Sequence, residues 1–206
     1  MSKEKLRFLF QGDSVTDAGR DYNSADLGNG YPRYFQKMYE QLRAENPELP
    51  ELEIINRAVN GDRSLELVDR FEEDFAAVEP DILCVQIGVN DAWRIINPAV
   101  GATPDPIYKK SVEYVLSEMK KRFPQTKIIL IEPFLLAFDP EMASVRRNLY
   151  NKINVLRGLR REYADFYWPL DGLMHQWSLD HDDPAYFTLD GVHPTAAGHK
   201  IIGESL

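Results

Sequence analysis

The sequence predicts an α/β fold, a three-layer αβα sandwich in which helices cover both faces of a central parallel sheet of about five strands. Short apolar runs rich in Ile, Leu, Val and Phe alternate along the chain with longer stretches whose apolar residues recur every three or four positions. The short runs lack the in/out alternation of a half-exposed strand, as is typical of strands buried on both faces. Short connections join the segments, and repeated βα units of this kind form doubly wound layers.

Five short apolar segments are predicted to form the strands. In chain order they are Leu6–Phe10, Leu52–Asn56, Ile82–Ile87, Lys127–Ile131 and a weaker one at Asp165–Pro169. The single cysteine, Cys84, lies within the third segment, so no intrachain disulfide can form. We interpret this thiol as a small buried hydrophobe rather than a nucleophile.

Helical periodicity marks the segments between the strands. Helices are predicted over Tyr31–Glu45, Leu65–Val78, Ile107–Arg122 and Glu141–Tyr163, and over a last stretch that begins at Ala196. The segment Asn97–Pro106 holds three prolines and a glycine, which indicates a surface loop. Because no repeat or interdomain linker interrupts the pattern, we expect residues 1–206 to form a single domain.

The charge balance limits the partners that the protein can have. Lys and Arg number 24 against 33 Asp and Glu, for a formal net charge of -9. Such a surface repels phosphate backbones and anionic lipids, so neither nucleic acid nor a membrane is expected as a partner. The first apolar run is too short for a secretory signal, and no segment reaches the roughly 18 apolar residues of a membrane span. We therefore expect a cytoplasmic protein.

Chemically capable side chains follow the first and third predicted strands, where parallel sheets gather reactive groups. Ser14, in Gly12-Asp13-Ser14, would be exposed on a strand-to-helix turn, beside a helix N-terminus that favours developing negative charge. The competing interpretation makes Asp13 or Ser14 an ordinary helix N-cap. Asn90, in Gly88-Val89-Asn90-Asp91, can donate its amide to an oxyanion, although an Asn-Asp turn is the commoner structure.

Two further segments carry weaker signals of the same kind. Asp190 precedes His193 by three residues, a spacing at which the carboxylate can accept from the ring Nδ1–H and leave Nε2 free to take a serine proton. A solvated loop with an incidental Asp–His pair is the alternative. Asn60-Gly61, after the second strand, could offer a free backbone N–H, but it is also a very common turn dipeptide.

Together and in this order, these blocks resemble the four signatures of the SGNH (GDSL-type) esterase superfamily, and the resemblance spans nearly the whole chain. The matching blocks are Gly12-Asp13-Ser14, Gly61, Gly88-Val89-Asn90-Asp91 and Asp190-Gly191-Val192-His193. The resemblance implies a flavodoxin-like sheet and a serine ester hydrolase that uses neither a metal nor another cofactor.

The resemblance also implies a role for each block. Ser14 would be the nucleophile, His193 the general base and then the general acid, and Asp190 the carboxylate that orients the ring. The Ser14 N–H, the Gly61 N–H and the Asn90 side-chain amide would form the oxyanion hole. The reaction implied is a two-step acyl transfer through an acyl-serine intermediate.

The second block departs from the family pattern at two positions. The family often has Asn-x-Gly-x-x-Gly-Asn, whereas here Ala58 replaces the first glycine and Asp62 the final asparagine. Gly61 is kept, so the implied oxyanion donor is intact. We expect an acid at Asp62, near the mouth of the site, to disfavour anionic substrates slightly.

The residues after Asn90 narrow the resemblance to one branch. Asp91-Ala92-Trp93-Arg94, with Gly19-Arg20 and Gly198-His199, looks like the carbohydrate-esterase-like branch that includes acetyl-xylan esterases. This implies cleavage of short-chain acyl esters, acetyl above all, of a small molecule or an oligosaccharide. Trp93 would stack on a sugar or wall the acyl pocket, and Arg94 would donate to hydroxyls. The competing interpretation is a core tryptophan and an arginine tied to a local acid.

Other functions stay open at this point. The same superfamily includes lysophospholipases and thioesterases, and the fold could serve as a non-catalytic binding module. A haloacid-dehalogenase phosphatase is excluded, because it needs magnesium and a second carboxylate where this chain has Val15. Members of the superfamily occur as monomers and as assemblies, so a homo-oligomer is possible. The remaining histidines, His175, His181 and His199, are interpreted as structural or solvated.

Overall fold

The computed structural model describes residues 5–97, 99, 101–183 and 185–206. The first four residues, Pro98, Val100 and Pro184 lie outside the described residues. Two sequence predictions fall partly on them: the absence of a secretory signal and the loop over Asn97–Pro106.

One parallel sheet forms the centre of the fold. Its strands are β1 (Lys5–Gly12), β2 (Glu51–Asn56), β3 (Ile82–Gln86), β4 (Lys127–Ile131) and β5 (Phe166–Trp168). The spatial order is β2-β1-β3-β4-β5, and every neighbouring pair is parallel. All five predicted strands are present, and the predicted fold class is confirmed.

The strand order contains one reversal that decides where a site can form. From β1 the chain builds β2 on one side and then returns to build β3 on the other side of β1. Connections leave the carboxyl ends of β1 and β3 in opposite directions, which opens a crevice between them. The Ser14 and Asn90 segments follow these two strands, so the topology brings them to the same edge of the sheet.

Eight α-helices lie within the described residues, and none of them is long and apolar enough to cross a membrane. They are α1 (Ser14–Asp17), α2 (Tyr31–Glu45), α3 (Ser64–Asp69), α4 (Val89–Trp93), α5 (Asp105–Arg122), α6 (Ala143–Tyr163), α7 (Leu170–Leu179) and α8 (Ala196–Ser205). Short 3-10 turns cover Arg94–Ile96 and Pro140–Met142.

The structure differs from the helix predictions in two places. The predicted helix Leu65–Val78 is divided into α3 and a π-helical turn at Glu72–Ala76, where the Ala77 N–H donates to the carbonyl five residues back. The stacked rings of Phe71 and Phe75 beside this turn are both buried in the core. Helices α4 and α7 have no counterpart among the predicted helices. α4 is only five residues long and begins in a sequence typical of a turn.

The sheet separates two apolar cores. Phe8 and Phe10 of β1 face the core that contains residues of α2 and α8, whereas Leu9 between them faces the core of α3 and α5. Cys84 in β3 is fully buried, and burial raises the pKa of its thiol. Because both faces of the central strands are covered, the sheet gives the loops at its carboxyl edge a rigid base.

Candidate active site

Ser14 is the first residue of α1, two positions beyond the end of β1. Asp13 caps this helix, since its Oδ1 accepts a hydrogen bond from the Val15 N–H at 3.1 Å. The sequence allowed either Asp13 or Ser14 to be the N-cap, and the structure shows that it is Asp13. The Ser14 side chain does not cap the helix, and its Oγ lies 3.0 Å from Nε2 of His193.

His193 and Asp190 lie on one tight loop that leads into α8. Oδ2 of Asp190 lies 2.7 Å from His193 Nδ1, while its Oδ1 accepts the backbone N–H groups of Val192 and His193 at 2.9 and 2.8 Å. Gly191 has φ of +89°, and a Cβ there would lie 2.2 Å from the carbonyl oxygen of Leu136. The loop thus requires glycine at this position, and it holds the carboxylate and the imidazole in a fixed relation.

The electrostatics of this loop favour an ionised carboxylate beside the ring. Burial alone would raise the pKa of Asp190, but the hydrogen bonds from the His193 backbone and ring and from the Val192 N–H together hold it below its ordinary value. A carboxylate that accepts from Nδ1–H leaves the Nε2 lone pair directed at Ser14. The side chains of His193 and Asp190 are 49% and 46% exposed, so substrate can reach them from solvent.

Gly61 lies in a β-turn formed by Val59–Asp62. The Asp62 N–H donates to the Val59 carbonyl at 3.2 Å, and Gly61, at the third position, has φ of +82°. These features are typical of a type II turn. Within the described part of the chain, the N–H groups of Gly61 and Ser14 donate to no acceptor. Both are therefore available to a bound oxygen atom.

Asn90 lies in the first turn of α4, and its amide is tied to the Gly61 turn. Nδ2 donates to the Asp62 carbonyl at 3.0 Å, which leaves the second N–H of the amide for another acceptor. The neighbouring Asp91 is buried and accepts from the backbone N–H and hydroxyl of Ser64 at 2.9 and 2.7 Å. These bonds fix α4 against α3, and with it the Asn90 amide.

Trp93 and Arg94 border an open cleft beside Asn90, which is also lined by Ile96 and Asn97. Trp93 is half-buried and packs against the core of α2 and α8. Arg94 donates from Nη2 to the Gly61 carbonyl at 3.1 Å, so its protein partner is a backbone oxygen rather than the local acid of the competing interpretation. Contact of either side chain with a substrate stays a prediction.

Asp62 has a different role from the one that the sequence predicted. Its carboxylate is buried and accepts from Arg70 Nε at 2.7 Å. Burial raises the pKa of Asp62, although the charge of Arg70 opposes this. Because the charge is paired below the surface, Asp62 does not provide the predicted repulsion of anionic substrates at the mouth of the site.

The other three histidines lie apart from the Ser14–His193 contact. Nδ1 of buried His199 accepts from the Tyr31 N–H at 3.2 Å, and burial lowers the pKa of His199 to about 4. His181 stacks on Tyr186, and His175 lies in α7. Within residues 5–97, 99, 101–183 and 185–206, no three His, Cys, Asp or Glu residues are grouped to hold a metal ion.

The sequence did not reveal that the Asp13 carboxyl is buried. The side chain is 1% exposed, its Oδ2 has no partner among the described residues, and burial raises its pKa to about 7. Asp91 adds to this rise, while His193 opposes it. The sequence indicated only that Asp13 could cap the next helix, and the three-dimensional packing shows the desolvation of its carboxyl group.

Replacing Asp13 with asparagine is expected to remove a fall in stability between about pH 4 and pH 7. The folded protein holds a proton on Asp13 through this range, whereas the unfolded chain releases it near pH 3.8. The contribution of this group to stability is therefore complete below the unfolded pKa and is lost as the pH rises through the folded pKa. The loss is on the order of 4 kcal/mol, at about 1.4 kcal/mol per pKa unit.

Urea unfolding of both proteins at several pH values in this range measures the effect. The asparagine oxygen can still accept from the Val15 N–H, so the helix cap is retained. The titration of His199 is common to both proteins and cancels in the difference. Equal slopes of unfolding free energy against pH would contradict the raised pKa of Asp13.

A parallel-sheet sandwich whose serine contacts a histidine at the carboxyl edge of the sheet is the arrangement of a serine hydrolase. The chain belongs to the GDSL-like lipase/acylhydrolase family, whose family model matches residues 10–201. The predicted resemblance to the SGNH (GDSL-type) superfamily is thereby confirmed, and the protein is a serine ester hydrolase.

Individual relatives are similar over almost the whole chain. An acetylxylan esterase of Geobacillus stearothermophilus is 31% identical over 99% of this chain and 92% of its own. The crystal structure of Axe2, an acetylxylan esterase from that organism, has a TM-score of 0.83 at 28% identity, covering 97% of this chain and 91% of its own. A GDSL-like protein of Parabacteroides merdae has a TM-score of 0.86 at 29% identity, covering 96% and 92%.

Proposed function

We propose that the enzyme removes short acyl groups, acetyl above all, from carbohydrate esters, with Ser14, His193 and Asp190 as its catalytic triad. The observation that carries this proposal is the continuous hydrogen-bond chain from Ser14 Oγ to His193 Nε2 at 3.0 Å and from His193 Nδ1 to Asp190 Oδ2 at 2.7 Å. Neutral imidazole in this position can accept the serine proton, which the hydroxyl must lose to become a good nucleophile.

In the first half of the reaction, Ser14 Oγ attacks the ester carbonyl carbon while its proton passes to His193 Nε2. The carbonyl oxygen becomes an oxyanion, and the N–H groups of Ser14 and Gly61 and the free amide N–H of Asn90 are its proposed donors. The carbon–oxygen bond to the alcohol then breaks. The alcohol leaves with the proton from His193, and the acyl group remains on Ser14.

In the second half of the reaction, water takes the place of the alcohol. His193 Nε2 accepts a proton from the water as it attacks the acyl-serine carbonyl, and the same donors stabilise the second oxyanion. Collapse of this intermediate releases the acid and returns the proton to Ser14 Oγ. Asp190 stays ionised throughout and stabilises the imidazolium that forms twice in each cycle.

Three features support a carbohydrate ester as the substrate. The cleft beside Asn90 is open and bordered by Trp93, whose ring could stack on a sugar, and by Arg94, whose guanidinium could donate to hydroxyls. The net charge of -9 favours a neutral substrate over an anionic one. The acetylxylan esterase relative is similar over nearly its full length.

Hydrolysis of p-nitrophenyl esters from acetyl to long acyl chains tests the proposal. We expect the highest kcat/KM on acetyl and a steep decline with chain length. Acetylated xylo-oligosaccharides then test the alcohol side, with acetate release as the measurement. Trp93→Ala is expected to raise KM for the oligosaccharide more than for p-nitrophenyl acetate, because only the former offers a sugar ring to the indole.

Three outcomes would contradict parts of this proposal. Activity that grows with chain length would replace carbohydrate esters by the lipid or thioester substrates of lysophospholipases and thioesterases. Hydrolysis of p-nitrophenyl acetate without acetate release from oligosaccharides would contradict the carbohydrate substrate but not the esterase activity. Absence of hydrolysis above the Ser14→Ala background on every ester would contradict the triad.

A further inference from the structure

The geometry points to Asp17 as a positioning residue that sets the direction of the Gly61 N–H. Asp17 would act on the oxyanion hole through the Gly61 turn, without touching the substrate. This inference rests on the proposed function, since it concerns a donor of the proposed oxyanion hole. The inference assigns a function to the last residue of α1.

Each of the two carboxylate oxygens of Asp17 accepts two hydrogen bonds. Asp17 is the last residue of α1 and is 2% exposed. Oδ1 accepts the backbone N–H groups of Gly19 and Arg20 at 2.9 and 3.0 Å, which fixes the carboxylate in the turn after the helix. Oδ2 accepts from the Tyr22 hydroxyl and from the Asn60 N–H, the latter at 2.9 Å.

The Asn60 contact links the two backbone donors of the proposed oxyanion hole. Ser14 and Asp17 are the first and last residues of the same short helix. Asn60 immediately precedes Gly61, and the peptide between them carries the Gly61 N–H. The carboxylate therefore joins the helix that presents one donor to the turn that presents the other.

The turn needs such a restraint because its central peptide has two possible orientations. Type I and type II turns differ by a reversal of the peptide between their second and third residues. Here those residues are Asn60 and Gly61, so the reversal would direct the Gly61 N–H away from its present position. Glycine makes the observed φ of +82° possible, but it also permits other conformations.

Side chains hold the turn on both sides of this central peptide. Asp17 holds the Asn60 N–H on one side, and Arg94 Nη2 donates to the Gly61 carbonyl on the other. Arg20 anchors the entry to the turn, since its Nε donates to the Ala58 carbonyl at 2.8 Å. Without Asp17, the contacts that this side of the turn keeps are weaker: the Asn60 N–H lies 3.4 Å from the Tyr22 hydroxyl, and the Val59 N–H donates to the Gly12 carbonyl at 3.2 Å.

Asp17→Asn is expected to lower kcat on p-nitrophenyl acetate by about tenfold or more and to change KM less than about twofold. Loss of one oxyanion donor typically lowers kcat about 100- to 1,000-fold, and a misdirected donor should lie below that range. The asparagine keeps the volume of the side chain. Its single oxygen, however, can accept either from the Gly19 and Arg20 N–H groups or from the Tyr22 hydroxyl and the Asn60 N–H, but not from both pairs. Steady-state kinetics and urea unfolding of each variant measure the effect.

Asp165→Asn is the matched control. Asp165 also accepts several hydrogen bonds, from Lys120, Lys127 and the Ile128 N–H, but it lies at the opposite edge of the sheet. We expect this variant to lose stability and to keep the kcat and KM of the wild type. An equal fall of kcat in both variants would mean that general destabilisation explains the effect and would overturn the inference.

A double-mutant cycle separates action through Gly61 from any other action. Gly61→Ala places alanine in a left-handed conformation, although its Cβ would meet no atom within 4 Å, so its effect is conformational. If Asp17 acts through the turn, Asp17→Asn lowers kcat much less in the Gly61→Ala background than alone. Full additivity with Gly61→Ala would overturn the inference.

Tyr22→Phe keeps the inference testable if Asp17→Asn does not fold. Tyr22 is 51% exposed, so the substitution is compatible with folding. It removes one of the four donors to Asp17 together with a longer contact, at 3.4 Å, between the Tyr22 hydroxyl and the Asn60 N–H of the same turn. We expect a kcat that is about two- to fivefold lower at unchanged KM, and an unchanged kcat would overturn the inference. If the wild type shows no Ser14-dependent hydrolysis, the proposed function itself fails. A Ser14-dependent rate that Asp17→Asn leaves intact overturns this inference alone.

Discussion

Ser14→Ala is expected to lower kcat for ester hydrolysis by about 10⁵-fold or more, leaving only a trace above the uncatalysed rate. In the proposed mechanism the hydroxyl oxygen of Ser14 forms the acyl intermediate, and no other described hydroxyl contacts His193. Water held near His193 could still react, assisted by the oxyanion donors, which accounts for the trace. Initial rates on p-nitrophenyl acetate measure the change.

The fold should survive this substitution, because Asp13 rather than Ser14 caps α1. Ser117→Ala is a suitable control, since Ser117 is partly exposed and, among the described residues, its hydroxyl donates to the Tyr114 carbonyl of the same helix, α5. A serine-directed fluorophosphonate should label the wild type and the control but not Ser14→Ala. Equal hydrolysis by wild type and Ser14→Ala would exclude the proposed mechanism.

Asp190→Asn is expected to lower kcat by about 10⁴-fold near neutral pH, as loss of the carboxylate does in Ser-His-Asp triads. The structure predicts which way the new amide would point. Two backbone N–H groups, of Val192 and His193, donate to Oδ1, so the amide oxygen would take that place and the NH₂ group would face His193 Nδ1. An imidazole that accepts at Nδ1 carries its proton on Nε2, and it cannot then accept the Ser14 proton.

Kinetics over a range of pH, with Asp180→Asn as control, measure this effect. Asp180 is an exposed acid whose carboxylate contacts only Gln176 of α7 among the described side chains. The control should have the kcat of the wild type. A kcat of Asp190→Asn within about tenfold of the wild type would mean that Asp190 does not determine the tautomer of His193.

Much of the fold could be predicted because the central strands are apolar on both faces. Continuous runs such as Ile82–Ile87 have few structural interpretations once short connections and helical segments flank them. The position of Ser14 and Asn90 at one edge also follows from the sequence, since both segments come directly after predicted strands. The triad roles of Ser14, Asp190 and His193 stay predictions, which the short distances between their side chains support.

The contacts that tie the Gly61 turn to its surroundings could not be predicted. Asp17 and Asn60 are 43 positions apart, and Arg94 and Gly61 are 33 positions apart. These bonds join side chains to backbone atoms, and no residue type in the turn indicates which side chain will reach it. The burial of Asp13 was missed for a related reason, since desolvation depends on packing from several elements.

The separation of Ser14 and His193 along the chain has a consequence for biosynthesis. The two residues are 179 positions apart, so a ribosome makes the proposed nucleophile long before the imidazole. All five strands can be complete before His193 exists. The loop that carries His193 leads directly into α8, which packs on α2 through the His199–Tyr31 hydrogen bond. If Ser14 and His193 act as proposed, a nascent chain has no hydrolase activity until α8 docks on α2, so hydrolysis begins only after the His193 loop has been made and folded.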